Sequence, residues 1–197
     1  MSRPSHRGPD KTRDAKRRWR GQTLAEFGIT LPLLMAVILG IFQVSYLIYQ
    51  QYVAVNLARV GANLILRKSP FDAAAAAIRL ADPQFDADTS LILSVVQLGT
   101  APGPNKGNAI IVQRHAWGMS RGASALGDPP SGSYDPDQDY AAMHLDSDTS
   151  IQAKNPLPNG LQINQGQSVY VAEIYRKRRD IVPLTGVPDS LYSAMYF

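Results

Sequence analysis

The sequence contains no cysteine, and this absence excludes several kinds of chemistry at once. A disulfide framework, a thiolate nucleophile and a cysteine-ligated metal centre all require that residue. Histidine is scarce as well, and His6, His115 and His144 share no spacing that is typical of metal ligands. The chain also lacks a Gly-x-Ser-x-Gly nucleophile motif and a phosphate-binding glycine loop. The sequence therefore predicts a protein that is not an enzyme and that needs no cofactor or metal.

A group of aspartates is the nearest approach to a metal-binding pattern. Asp135, Asp137, Asp139 and Asp146 fall at the first, third, fifth and twelfth positions of a calcium loop. Tyr140, however, occupies the position where such a loop needs glycine for its sharp turn, and Asp146 replaces the bidentate glutamate. We therefore interpret this segment as a solvated acidic loop.

Charge is missing from a long stretch near the N-terminus. Phe27 to Tyr49 comprises 23 residues without a charged side chain, interrupted only by Thr30, Gln43 and Ser45 among polar residues. As a helix, such a segment reaches roughly 35 Å, enough to cross a hydrocarbon layer of roughly 30 Å. A soluble core helix would instead present a polar face every three or four residues. The stretch therefore predicts a single transmembrane helix.

The basic residues are concentrated before this stretch. Residues 1–20 contain eight Lys or Arg and two Asp, a net charge of +6, whereas residues 21–197 contain 12 basic and 14 acidic residues. Positive charge beside a first span holds that end in the cytoplasm, so the C-terminal part is predicted to be periplasmic, on the outer face of the inner membrane. The rest of the chain is slightly acidic and has no basic stripe, so no nucleic-acid partner is predicted.

The remaining pattern predicts an α+β fold. The helix, predicted to start near Gln22, is expected to run on to Leu66 as an amphipathic spine, and a small antiparallel sheet of three or four strands packs on it. The spine's apolar stripe comprises Tyr49, Val53, Leu57, Val60 and Leu64. We expect three segments: a basic cytoplasmic leader (1–21), the transmembrane helix with its extension (22–66), and a periplasmic domain (67–197).

Shorter elements can be placed within the periplasmic domain. The alanine-rich segment 71–80 predicts a second helix that ends at Asp82-Pro83, and a short helix is predicted at 140–144. Apolar and β-branched residues predict strands at 89–98 and 108–118, and alternating residues predict a third at 167–178.

The start of the apolar helix resembles a known family. A basic leader is followed by Gly21, then by Glu26-Phe27, Leu31-Pro32-Leu33-Leu34 and, after the span, Asn56-Leu57-Ala58-Arg59-Val60-Gly61-Ala62. Glycine, four residues, glutamate and an aromatic residue resemble the processing site of type IV prepilins. The whole series is more particularly similar to the TadE-like family of pilus-assembly pseudopilins, and a weaker similarity covers residues 169–186.

This resemblance implies both a function and a set of site residues. A prepilin peptidase would cleave after Gly21 and leave Gln22 as the new terminus, and Glu26 and Phe27 would then serve assembly. The chain would be a minor pilin or pseudopilin of the bacterial inner membrane that supports assembly of a tight-adherence (Flp-type) pilus. Its partners would be the prepilin peptidase, other pilins or pseudopilins, pilus-assembly proteins and membrane lipid.

Two other functions remain open from the sequence. The chain could be an unprocessed single-pass membrane protein whose periplasmic domain binds a partner, or a soluble exported domain if cleavage follows Tyr49. The basic run Arg176-Lys177-Arg178-Arg179 is also open to interpretation. It suits a solvated strand end, an acidic partner surface or lipid head groups.

Overall fold

The computed structural model describes residues 11–118, 122–154, 157–181, 186 and 188–197. The helices are α1 (Lys11–Leu66), α2 (Phe71–Ala81) and α3 (Phe85–Asp88). The strands are β1 (Thr89–Leu98), β2 (Ala109–Gly118), β3 (Tyr134–Asp135), β4 (Ala141–Ala142), β5 (Ser168–Lys177) and β6 (Ser190–Tyr196). Single 3₁₀ turns occur at Ser131–Ser133, Pro136–Gln138, Thr149–Ile151 and Pro158–Gly160. The chain divides into two compact units between Ser45 and Tyr46.

Helix α1 begins earlier than the sequence suggests. Its first residue is Lys11, whereas the predicted start lies near Gln22; its last residue, Leu66, agrees with the prediction. The physical reason lies in residues 11–20, which contain neither glycine nor proline and are rich in good helix formers. Gly21 interrupts this run at a cost of only about 1 kcal/mol relative to alanine, which is too little to end a helix by itself.

The strands of the second unit form one antiparallel sheet. Their order across the sheet is β3-β4-β2-β1-β5-β6, so the ten-residue strands β2 and β1 lie at its centre. β1 pairs with β2 on one side, with a register shift between Val95 and Val96, and with β5 on the other. The predicted α+β class, with a long apolar helix followed by a small antiparallel sheet, is confirmed.

Three predicted details are wrong. The sheet has six strands among the described residues, not three or four, because β6 and the two-residue strands β3 and β4 are added. Residues 140–144 form no helix: Asp139 and Tyr140 have positive φ angles of 51° and 59°, which a helix does not accept, and Ala141 pairs with Gln113 in the sheet. The third departure concerns the face of α1 that packs on the sheet.

Small residues make up much of the packed face of α1, alongside Leu57 and Ile65. Val53 and Leu64 are half-buried, but Tyr49 and Val60 are 61% and 41% exposed, so the predicted stripe is only partly correct. The buried α1 residues in the core are Ala54, Leu57, Ala58, Ala62 and Ile65, and they pack with Leu91, Leu93 and Val95 of β1 and Ala172 and Ile174 of β5. Alanines allow the helix axis to come close to the sheet, and this close approach selects a face that hydrophobicity alone does not.

Gly61 marks the closest approach between α1 and its neighbours. A Cβ atom built on it would lie 3.0 Å from Ile78 Cδ1, 3.3 Å from Ala172 Cβ and 3.4 Å from Leu93 Cδ2. Because the isoleucine terminus is flexible, a single methyl group fits after a small adjustment. A larger side chain has no comparable space.

We therefore expect Gly61→Leu to destabilise the second unit by about 3 kcal/mol through overpacking. Gly61→Ala should stay within about 1 kcal/mol of wild type, because its better helix propensity offsets the tight contact. Urea unfolding of both variants in detergent measures the difference. Equal midpoints for Leu and Ala would contradict close packing at this position.

The opposite face of the sheet carries a second core and a buried polar network. Glu173 is fully buried there and accepts hydrogen bonds from Ser124 Oγ, from the Ala125 backbone N–H at 2.8 Å and from Tyr192 Oη at 2.8 Å. Arg114 donates to Ser124 Oγ and to Asp128 at 3.0 Å. The network fixes the loop around residue 124 to the sheet, and a buried carboxyl without such donors would be strongly destabilising.

Candidate membrane-anchor helix and processing site

The apolar part of α1 presents its large side chains outward. Within the first unit, the side chains more than half exposed include Phe27, Ile29, Leu33, Leu34, Met35, Val37, Ile41, Phe42 and Val44. Among the described residues, one segment, Ala25–Leu66, is long and apolar enough to cross a membrane. Only 6% of its most apolar window is buried, which is unlike the core helix of a soluble protein. The chain therefore carries a candidate membrane span near its N-terminus.

Backbone groups inside this span are satisfied by the helix, with one departure. Pro32 lies within α1 and lacks an N–H. Two residues before it, the Thr30 hydroxyl donates a hydrogen bond to the Glu26 carbonyl oxygen at 2.8 Å. This bond pairs the hydroxyl within the helix itself, as a polar group in an apolar environment requires.

The residues predicted for processing and assembly occupy consecutive turns of α1. Gly21 and Gln22 have helical backbone, and the Gln22 side chain lies outside the described residues. Glu26 is exposed, and Phe27 is 63% exposed. Gln22 and Glu26 are four residues apart, so they share one face of the helix. A peptidase that holds an extended backbone would have to unwind this turn, and Gly21 makes that easier because it stabilises a helix least among residues other than proline.

The basic run after β5 is largely neutralised within the chain. Arg176 Nη1 lies 3.2 Å from Asp82 Oδ2, Arg178 Nη2 lies 2.7 Å from Asp180 Oδ2, and Arg179 pairs with Asp88. Lys177 is exposed. Arg176 and Arg179 therefore hold the end of β5 to the region of α2 and α3, and the arginines do not form one free positive patch. The sequence did not indicate these pairings because Asp82 and Asp88 lie about 90 residues away.

Two glutamines connect α1 to the C-terminal part of the domain. The buried Gln50 side chain donates to the Arg179 carbonyl at 2.7 Å and accepts from the Arg179 backbone N–H at 2.9 Å. Gln51 donates to the Tyr192 carbonyl at 3.2 Å. The Gln50 amide therefore pairs with both backbone groups of Arg179, its carbonyl and its N–H, as a residue of a neighbouring strand would. No sequence pattern signals this contact, because an isolated glutamine after an apolar run has many possible roles.

The acidic loop uses its carboxylates internally. Asp139 Oδ1 accepts the backbone N–H of Phe71 at 2.8 Å and so caps α2 from another part of the chain. Asp135 accepts the N–H of Asp137 at 3.0 Å within its own turn. Among the described residues, no group of three or more potential metal-ligating side chains occurs. The arrangement of Asp135 and Asp139 suits turn stabilisation.

Several tyrosines and one histidine of the domain have shifted ionisation. Burial, with the nearby Glu173 carboxyl, raises the pKa of Tyr192 well above its usual range and raises the pKa of Tyr175 to about 12. Burial lowers the pKa of His115, which stacks on Tyr140 at 3.9 Å between ring centroids, although Asp72 opposes that effect. These groups are packed parts of the fold, and they do not form a nucleophile with an adjacent base.

Comparison with known proteins agrees with the N-terminal pattern. The model of the family described as "TadE-like protein" matches residues 21–63 of this chain. The match begins at the glycine of the predicted processing site and covers the apolar helix, as the resemblance predicted. No curated protein and no solved structure matches the chain. The similarity therefore covers the helix, while the sheet domain has no counterpart in these comparisons.

Proposed function

We propose that this chain is a minor pilin or pseudopilin that is anchored in the inner membrane and supports assembly of a tight-adherence (Flp-type) pilus. The observation that carries the proposal is the coincidence of the TadE-like match at residues 21–63 with an exposed apolar helix. A helix of this kind needs either lipid or the helices of other subunits around it. The chain acts by association and not by catalysis, and its partners are a prepilin peptidase, other pilins or pseudopilins and pilus-assembly proteins.

The +6 leader and the single span support one orientation. Residues 1–21 lie in the cytoplasm, and the domain after the span lies in the periplasm. Cleavage after Gly21 removes the whole +6 charge of the leader and creates a free amine at Gln22. That amine lies one helical turn from Glu26, and opposite charges attract more strongly near an apolar phase than in water. A neighbouring subunit can thus offer its amine to Glu26 during assembly.

The intact mass of the mature protein, purified from its native host, tests this function. We expect a chain that begins at Gln22. A protein that retains Met1 would contradict prepilin-type processing. It would favour an unprocessed single-pass protein whose periplasmic domain binds a partner.

For Glu26→Gln we expect normal cleavage but at least about tenfold fewer pili, because every subunit contact in the filament loses one charge pair. The substitution keeps the size and hydrogen-bonding ability of the side chain and removes only the charge. Pili counted by electron microscopy, with processing followed by mass, provide the measurement. Glu26→Asp keeps the charge and is the matched control. Normal pilus numbers in Glu26→Gln would show that the residue serves only the start of the apolar helix.

A further inference from the structure

Three elements of the second unit converge where the apolar run of α1 ends. Gln50 follows directly after Tyr49, the last residue of that run, and it binds the backbone of Arg179. The end of α2 is held to the same region through the ion pair between Asp82 and Arg176. Because the transmembrane stretch ends at Tyr49, this end of the domain lies at the level of the lipid head groups.

A cleft of about 380 Å³ opens between these elements. Its lining combines aromatic rings, amides and charges: Tyr46, Tyr49, Gln50, Val53, Ala81, Asp82, Pro83, Gln84, Arg176 and Arg179. Tyrosine is typical of the membrane–water interface, where its ring meets the apolar layer and its hydroxyl meets water. The composition of the wall therefore matches the depth at which the sequence places it.

The charged side chains around the cleft form ion pairs. Arg176 pairs with Asp82, and Arg179 pairs with Asp88. The pairing of Arg176 is incomplete: its Nη1 atom is buried and lies 3.2 Å from Asp82 Oδ2 but makes no hydrogen bond of good geometry. Arg179 is 42% exposed, so its guanidinium group has further donors to offer. The two ion pairs, Arg176 with Asp82 and Arg179 with Asp88, together carry no net charge, and the guanidinium groups keep donors that these pairs do not use.

We propose that this cleft binds the head group of a phospholipid that bears both a phosphate and a primary ammonium, as phosphatidylethanolamine does. The guanidinium groups of Arg176 and Arg179 receive the phosphate, which matches their planar donors. The side-chain oxygen of Gln84 at the cleft wall receives the ammonium, and the buried Asp82 carboxylate, already paired with Arg176 and Thr89, supplies negative charge behind it. A purely anionic head group would meet as much negative as positive charge, and a trimethylammonium group has no hydrogen to donate. The inference depends on the membrane span and not on a role in pilus assembly.

Native mass spectrometry of the full chain in detergent tests the proposal. The protein is mixed with equal amounts of phosphatidylethanolamine, phosphatidylcholine and phosphatidylglycerol, and the lipid that stays bound is measured. We expect a preference for phosphatidylethanolamine that falls about tenfold in Arg179→Gln, because one charge-assisted hydrogen-bonding group is lost. Ala81→Trp, which fills the cleft from an exposed position at the end of α2, should remove the preference without changing any charge.

Lys177→Gln is the matched control, since it removes an exposed positive charge of the same basic run that does not line the cleft. It should keep the preference for phosphatidylethanolamine. Equal binding of the three lipids by the wild-type chain would overturn the proposal, as would a preference that survives both Arg179→Gln and Ala81→Trp. Binding of inorganic phosphate that is lost in the same two variants would assign the cleft to a free anion and would also overturn it.

Discussion

Leu57→Asp should unfold the sheet domain of the second unit, whereas the apolar part of α1 should remain helical. Leu57 is only 5% exposed and belongs to the core cluster formed by α1, α2, β1 and β5. Replacing it with aspartate removes an apolar side chain and buries an unpaired carboxylate. We expect a loss of about 4 kcal/mol or more, which is a large part of the stability of a domain of this size.

The fluorescence of Trp117 during urea unfolding measures this loss. Trp117 is partly buried against the same core and lies 6.4 Å from Phe71 between ring centroids, so it reports on the packed state. A Trp19→Phe background leaves it as the single tryptophan, because the chain contains two. The full chain in detergent is used throughout.

Val60→Asp is the matched control for Leu57→Asp. The two residues are three positions apart on the same helix, and the hydrophobic pattern alone places both on the packed face. In the structure Val60 is 41% exposed, so its carboxylate stays in water and should cost less than about 1 kcal/mol. If both variants unfold together, the buried face of α1 is wider than the structure indicates. If neither does, α1 lies outside the core.

The difference in burial between Leu57 and Val60 shows which features of α1 a hydrophobic pattern predicts and which it does not. The pattern predicts correctly that α1 continues to Leu66 and that one face is buried. It does not predict which side of α1 packs on the sheet, because alanine and glycine contribute little to the hydrophobicity of a helix face. In the folded domain Ala58, Gly61 and Ala62 are buried since they let α1 approach the sheet. Small residues stabilise this contact because they allow close packing, and that effect depends on the shape of both surfaces and not on the helix sequence alone.

The strands were predicted unevenly for a related reason. β1, β2 and β5 each contain ten residues rich in apolar or alternating side chains, and their positions agree with the prediction to within one residue. β6 has seven residues interrupted by Ser193 and Ala194. It is held by its pairing with β5. β4 depends on the positive φ angles of Asp139 and Tyr140, and this conformation is uncommon for a bulky residue such as tyrosine.

The two candidate sites also differ in how far the sequence alone could predict them. Gly21, Gln22, Glu26 and Phe27 form a local pattern, so the sequence alone was enough to select them. The cleft near Tyr49 depends on contacts between residues that are far apart in the chain, such as Gln50 with Arg179 and Asp82 with Arg176. In the sequence, the arginines of residues 176–179 form one basic run. In the structure their partners are aspartates on three different segments.

Gly21→Leu should leave the chain uncleaved in the membrane, with an intact mass that still includes the leader. Glycine has no Cβ, so a peptidase can bring its own backbone close to the scissile bond. Glycine is also the residue at which the helix around position 21 opens with least cost, by about 1 kcal/mol relative to alanine. Leucine removes both advantages, and the expected effect is an almost complete loss of processing.

Gly28→Leu separates the chemistry of the processing site from a general effect of a larger residue in this helix. A Cβ atom on Gly28 would meet nothing within 4 Å, and position 28 lies two turns beyond Gly21, so this variant should be cleaved as the wild type is. Both variants are followed by the intact mass of the membrane fraction. Cleavage of Gly21→Leu to a chain beginning at Gln22 would mean that the enzyme does not require glycine. Loss of processing in Gly28→Leu would move the determinant from residue 21 into the apolar helix, because only a requirement for helix shape could explain it.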